Sequence, residues 1–329
     1  MKFKSVIISK RGGPEVLQVI EKELVPPQSN EVLIKVQACV IGGTDIAMRY
    51  YNYPGVPKIP FVPGYEIVGT VQEIGSNVSI PKVGDRVAAL TTFGGYSEYI
   101  YLKPEHLVKV PESLDSAEAA AVILNYTTAY QMLKRVANVK AGDKVLITGA
   151  SGGVGTALLD LGKLYNLDLY GTASFQKHEL LNIYEATLVD YRSRSFVTII
   201  NQLHPHGLDF VFDGVGGAYI KKSIYVLRRG GLLVEYGYSL KSFSYFIKSL
   251  FDMFSGILKR VRAKSYGISV NYRMNKQTVL NDMTELFKLL EEGKIKPLIY
   301  KRIPLIEAAE ANRMLENGNV TGNIVLINN

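Results

Sequence analysis

Short apolar runs separated by turn signals open the chain. Val6-Ile7-Ile8 and residues 32–36, 67–71 and 86–90 are each only a few residues long, the length of strands and not of helices. Pro26-Pro27, Gly42-Gly43, Pro63-Gly64, Gly84-Asp85 and Gly94-Gly95 punctuate them. This stretch predicts a mostly β domain. At Asp115 the pattern changes to Ala-rich sequence with early acids, which suit the positive end of a helix; a second helix follows through residues 130–133. From Lys144 strands and helices alternate: strand 144–148, helix 156–165, strand 167–172, helix 176–184, then strands 208–212 and 231–236. Such alternation predicts a parallel, doubly wound sheet. Helices at 279–292 and 306–317, stopped by Gly293 and Gly318, lead to a closing strand at 323–327. These last elements predict a return to the first domain, with 1–121 and 269–329 in one domain and 122–268 in the other.

A length of 329 residues suits two domains. Cys39 is the only cysteine, which excludes an intrachain disulfide and a multi-thiolate zinc site and fits a reducing compartment. Its neighbours Ala38, Val40 and Ile41 read as a buried strand, a poor setting for a reactive thiol. The basic start has too short an apolar run for a signal peptide. No apolar run reaches the length of a membrane span, so a cytoplasmic protein is expected. A net charge of +8 favours anionic ligands. No zinc-finger or RNA-binding signature accompanies it, so nucleic acid is not an expected partner. His204-Pro205-His206 reads as a turn, and no metal ligand set is expected.

After the apolar strand 144–148 comes Gly149-Ala150-Ser151-Gly152-Gly153-Val154-Gly155, and then helix-forming sequence. Glycines there permit a tight turn, close approach to a pyrophosphate and close helix–strand packing. Gly152, Gly153, Val154 and Gly155 are thus candidate cofactor contacts, although a ligand-free turn would use the same residues. An NAD site usually has a carboxylate near the end of the second strand. Here that position reads Thr172-Ala173-Ser174-Phe175-Gln176-Lys177-His178, with no acid before Glu179. Hydroxyls at Thr172 and Ser174 and the cation of Lys177 suit the 2′-phosphate of NADPH; the plainer reading of Lys177 is a solvated helix-start lysine. Tyr191 follows the next strand, as an adenine-side contact or a surface tyrosine. Gly214, Val215 and Gly237 lie in further strand-end loops, where backbone approach to a ligand or an ordinary turn explains glycine.

Blocks along the whole chain carry a resemblance. They include Pro63-Gly64-Tyr65-Glu66, Gly75-Ser76-Asn77-Val78, Val83-Gly84-Asp85-Arg86-Val87, Gly94-Gly95-Tyr96-Ser97-Glu98-Tyr99, Asn125-Tyr126-Thr127-Thr128-Ala129-Tyr130 and the closing Thr321-Gly322-Asn323-Ile324. Together they resemble the medium-chain dehydrogenase/reductase family, in its zinc-free quinone oxidoreductase (zeta-crystallin) branch and near the vesicle amine transport protein homologues. The resemblance implies an α/β chain: a doubly wound Rossmann domain plus a mostly β GroES-like catalytic domain formed by both chain ends. It also implies NADPH and a homodimer. Zinc-dependent relatives place ligands where this chain has Gly42, Tyr65 and Asn125, none a usual zinc ligand in this setting. Without that Lewis acid, hydride transfer to a quinone or to an α,β-unsaturated carbonyl is the expected reaction.

By the same resemblance Tyr51, Tyr53, Tyr65 and Asn125 are pocket candidates, and Thr128 faces the nicotinamide, unless it is a helix-start hydroxyl bonding its own backbone. Tyr65, at a vacated ligand position, is expected to face the cleft and to donate to developing enolate charge, or to plug the space. Quinone oxidoreductases often have Asn in place of Gly42. Asn323 stands where relatives often have Lys and reads as a surface change. Residues 242–264 combine helically spaced Phe, Ile and Leu with five Lys and Arg, a helix suited either to a membrane surface or to covering the cleft or packing between subunits. The alternative function is an NADPH-sensing, lipid-associated protein with little turnover.

Overall fold

The computed structural model describes residues 1–50, 53, 55–237 and 260–328. Two compact units emerge: Met1–Thr127 with Asn271–Asn329, and Thr128–Val270.

The first unit starts with the antiparallel pair β1 (Lys2–Ile8) and β2 (Leu17–Glu23). β3 (Val32–Ile41) follows and is buried along almost its whole length. Its alternate residues Val32, Ile34 and Val36 share one face, as the period of a strand requires, and pack with Ile67, Val71, Val87 and Ala89. α1 (Gly43–Arg49) comes next; its first turn is closed by Asp45, whose carboxylate accepts the Gly42 N–H at 2.8 Å. β4 (Glu66–Ile74), β5 (Arg86–Leu90), β6 (Tyr99–Leu102) and β7 (Val108–Lys109) complete the N-terminal strands. α2 (Ser116–Ala121) starts where the sequence predicts, because Asp115 accepts from the Ala117 and Glu118 amides, both at 3.0 Å. A π-helical turn, Val122–Tyr126, follows and contains Asn125.

The second unit opens with α3 (Thr127–Gln131), whose first residue belongs to the first unit, and then alternates as expected: β8 (Lys144–Thr148), α4 (Gly153–Leu164), β9 (Asp168–Ala173), α5 (His178–Leu181), β10 (Thr187–Asp190), α6 (Phe196–Leu203), β11 (Leu208–Asp213), α7 (Ala218–Val226), β12 (Leu227–Tyr236) and β13 (Arg262–Tyr266). All neighbours are parallel, in the order β10-β9-β8-β11-β12-β13. Counted from β8 this is 3-2-1-4-5-6, the doubly wound dinucleotide-binding order. Leu158, Leu159 and Leu161 of α4 are fully buried, each contributing about 1.5–3 kcal/mol.

Two expectations need correction here. The helix predicted at 176–184 shrinks to α5 between 3-10 turns at Phe175–Lys177 and Asn182–Tyr184, and Glu185 then enters the left-handed region at φ 57°. In the segment read as a basic amphipathic helix, Arg262 to Lys264 belong to strand β13, paired with Leu232 to Val234. The rest of that segment, up to residue 259, lies outside the described residues.

α8 (Ile268–Met274) leads out of the second unit. α9 (Lys276–Glu291), β14 (Ile299–Pro304), α10 (Ala308–Glu316) and β15 (Asn323–Ile327) then finish the first. β15 pairs parallel with β14 and antiparallel with β3. Both chain ends therefore build one sheet, β14-β15-β3-β4-β5-β7, with β6 on β3. Among the described residues no helix is long and apolar enough to cross a membrane.

Candidate active site

In the second unit β8 ends on Thr148, and Gly149 turns the chain at φ 69°. Gly152 caps α4 without a side-chain hydrogen bond, and the Thr156 amide is the one that reaches back to the Gly152 carbonyl, at 2.8 Å. Gly153, Val154 and Gly155 thus hold the first helical amides, which lack carbonyl partners in the helix and sit at its positive pole. A Cβ on Gly155 would lie 2.4 Å from the Gly149 carbonyl oxygen, so this glycine serves loop–helix packing. A Cβ on Gly152 would meet only that oxygen, at 3.6 Å, which leaves its face open.

The end of β9 gathers positive charge. Lys177 Nζ lies 3.3 Å from Ser151 Oγ in the glycine loop. Partial burial lowers the Lys177 pKa, and the positive charge of Arg192 lowers it further. Arg192 also stands over the Tyr191 ring, 5.8 Å from its centroid. Ser151 and Arg192 escaped the sequence reading: the chain pattern does not show that residue 192 returns beside residue 177. Ser174 is buried at the same strand end. Thr172 is buried beside it and accepts the Gly149 amide at 3.2 Å, which ties its hydroxyl to the glycine loop.

Asp213 is a further residue that sequence reasoning missed. It is fully buried and accepts from Thr148 Oγ1 at 2.7 Å, the Val215 and Gly216 amides at 3.0 and 2.9 Å, and Ser223 Oγ at 2.8 Å. The acid before Gly-Val-Gly-Gly was the available signal, since Asp often organises such turns. Gly214 is glycine for an internal reason: a Cβ there would fall 2.8 Å from the Tyr236 ring. Gly237 turns at φ 70°. Thr128, at the start of this unit, is buried, and its hydroxyl has no partner among the described residues. An unsatisfied buried hydroxyl costs about 1–3 kcal/mol, so it invites a ligand contact. Open amides at a helix start, an orphaned hydroxyl and a cationic strand end fit a nicotinamide dinucleotide.

In the first unit Tyr53 and Tyr65 join hydroxyl to hydroxyl at 2.6 Å, with rings edge to face. Tyr65 is wholly buried and Tyr53 half-buried. Full burial of Tyr65 suits the second of its two readings, filling the vacated space; its carbonyl is fixed by the Thr91 and Thr92 amides at 2.8 and 3.0 Å, and Tyr53 is the more exposed residue of the pair. Tyr51 lies outside the described residues. Asn125 Nδ2 donates to Asn323 Oδ1 at 2.7 Å, and Asn323 Nδ2 donates to the Leu298 carbonyl at 3.0 Å. The carbonyl can only accept, so it sets the orientation of both amides and leaves Asn125 Oδ1 as that side chain's remaining acceptor. Asn323 is 1% exposed; it is a core residue beside Asn125, not a surface change.

Behind Gly42 lies a buried acidic wall. Asp45 accepts from Gly42 and Gly64 amides at 2.8 and 3.1 Å. Burial nonetheless raises its pKa to about 6, against these bonds, the Tyr96 hydroxyl and the charge of Arg49. Glu66 is pushed well up by burial and by Asp45; its Oε1 accepts the Val40 amide at 3.0 Å, and its Oε2 has no partner among the described residues. Cys39 is buried as expected, and burial followed by Glu66 and Asp45 pushes its thiol up. Among the described residues, no group of three or more His, Cys, Asp and Glu side chains is placed to hold a metal ion.

A sheet closed by both chain ends, and a 3-2-1-4-5-6 sheet carrying a glycine loop, define an oxidoreductase scaffold for a nicotinamide cofactor. The chain belongs to the medium-chain dehydrogenase/reductase family: residues 28–112 match the alcohol dehydrogenase GroES-like domain and residues 185–326 the zinc-binding dehydrogenase family. It is 31% identical over 339 aligned positions to the synaptic vesicle membrane protein VAT-1 homolog of Danio rerio, covering 98% of this chain and 70% of that protein. It is also 31% identical to the quinone oxidoreductase of Homo sapiens, covering 99% of this chain and 98% of that one. The crystal structure of Escherichia coli quinone oxidoreductase complexed with NADPH superposes with a TM-score of 0.90 at 27% identity, over 99% of this chain and all of the other.

Proposed function

We propose that this protein is an NADPH-dependent, zinc-independent reductase of quinones or α,β-unsaturated carbonyls. The observation that carries the reading is the Tyr53–Tyr65 hydroxyl pair at 2.6 Å, a proton-donating group where zinc-dependent relatives have a ligand. Gly42 and Asn125, at the other two ligand positions, add no imidazole or thiolate. The quinone oxidoreductases among the relatives support the substrate class.

When bound, NADPH supplies the hydride. Gly153, Val154 and Gly155 amides would hold its diphosphate, and Lys177, Arg192, Ser151 and Ser174 its 2′-phosphate. Thr128 would place its hydroxyl on the nicotinamide side, and Tyr191, Val215 and Gly237 would line the dinucleotide. Tyr53 would hold the proton that follows the hydride, and Tyr65 would fix and polarise the Tyr53 hydroxyl from behind. A cytoplasmic homodimer is part of the same reading, open to light scattering and cell fractionation.

The test is oxidation of NADPH by purified protein against a panel of quinones and enones. Turnover is expected, with kcat falling about 100-fold in Tyr53→Phe while NADPH affinity is kept. Tight NADPH binding without turnover on any acceptor would instead favour a sensing role and sink the reductase.

A further inference from the structure

We infer a second anion site, at the edge of the parallel sheet opposite the glycine loop, that binds a phosphate monoester. The glycine loop follows the carboxyl end of β8, whereas this site lies where β11 and β12 begin. Between the pairs Leu208–Leu227 and Phe210–Leu232, Asp209 alone faces Arg228, Arg229, Gly230 and Gly231. β12 therefore bulges by three extra residues, and bulges re-aim side chains. The Gly230 amide donates to the Arg260 carbonyl at 2.9 Å, and Arg262 Nε donates to the Gly230 carbonyl at 3.2 Å. Arg260 itself adopts φ 55°, an unusual conformation for a long side chain.

Beside the bulge is an open surface depression of about 370 Å³, lined mostly by exposed residues. Asn201, His206, Tyr225, Arg228 and Arg229 supply its polar side chains, all able to donate and none a carboxylate. Pro205 and Leu227 add apolar surface. The wall is tightly built: Gly207 turns at φ 82°, and a Cβ there would meet the Arg228 amide at 2.5 Å. Arg228 is paired with Asp209 at 2.6 Å, but Arg229, the other guanidinium of the lining, has no ion pair among the described residues. Guanidinium forks match phosphoryl oxygens, and an apolar wall suits an organic ester over bare phosphate.

The probe is phenyl phosphate, titrated calorimetrically into the full chain saturated with NADPH, so that the dinucleotide site is filled. Saturable binding is expected, tighter than for inorganic phosphate and weakened about tenfold by His206→Ala with Arg229→Ala, with NADPH affinity unchanged as the check on folding. Vesicles of phosphatidylcholine with and without phosphatidylinositol phosphate separate the sources. Binding to phosphoinositide vesicles that the double substitution abolishes identifies a lipid headgroup, and phenyl phosphate binding without it identifies a soluble ester. No saturable binding of phenyl phosphate, binding unaffected by the substitutions, or loss on NADPH saturation would overturn the site.

Discussion

Asp45 is a carboxyl group sealed behind Gly42, with its pKa raised to about 6 by burial. The unfolded chain releases this proton near pH 4, the folded chain nearer 6. Between those values the folded state binds more protons, so this residue's contribution to stability declines as pH rises and then levels off. Comparing urea unfolding of the wild type and Asp45→Asn at pH 4.5 and 7.5 isolates the effect. Their stability difference is expected to move against the wild type by about 2 kcal/mol at the higher pH; a pH-independent difference would mean that Asp45 titrates normally. Asn323 is the second instructive residue. Its amide joins Leu298 to Asn125, so Asn323→Ala should cost about 1–3 kcal/mol in urea unfolding, where a true surface position would cost almost nothing. Neither effect could be read along the chain, because each depends on partners far away in sequence.

The helix–strand alternation from Lys144 onward was legible because buried parallel strands are near-continuous apolar runs, as in Val145-Leu146-Ile147. β13 was not, because Arg262 to Tyr266 is a largely exposed edge strand without alternation. The π turn at Val122–Tyr126 sits within an apolar helical sequence that marks no break. For the glycine loop, spacing indicated a phosphate site but not which glycine does what. Gly155 is the packing glycine, so Gly155→Ala should push the Gly149 carbonyl and loop aside, costing about 1–3 kcal/mol of stability and weakening NADPH. Gly152→Ala, with its open face, should cost less in thermal denaturation; equal losses for the two would contradict the division of roles.

At the scale of the whole molecule, family membership and sheet order agree on an oxidoreductase, while the proposed choice of NADPH rests on a few side chains at the end of β9. Net charge of +8 favours any anionic ligand and so cannot explain discrimination between two dinucleotides that differ by one phosphate. Lys177 and Arg192 can. The decisive measurement is calorimetric titration of NADPH and NADH into the wild type and into Lys177→Ala with Arg192→Ala. The wild type is expected to prefer NADPH by about 100-fold, and the double substitution to abolish the preference by weakening NADPH alone. Equal affinities in the wild type, or a preference that survives both substitutions, would contradict it.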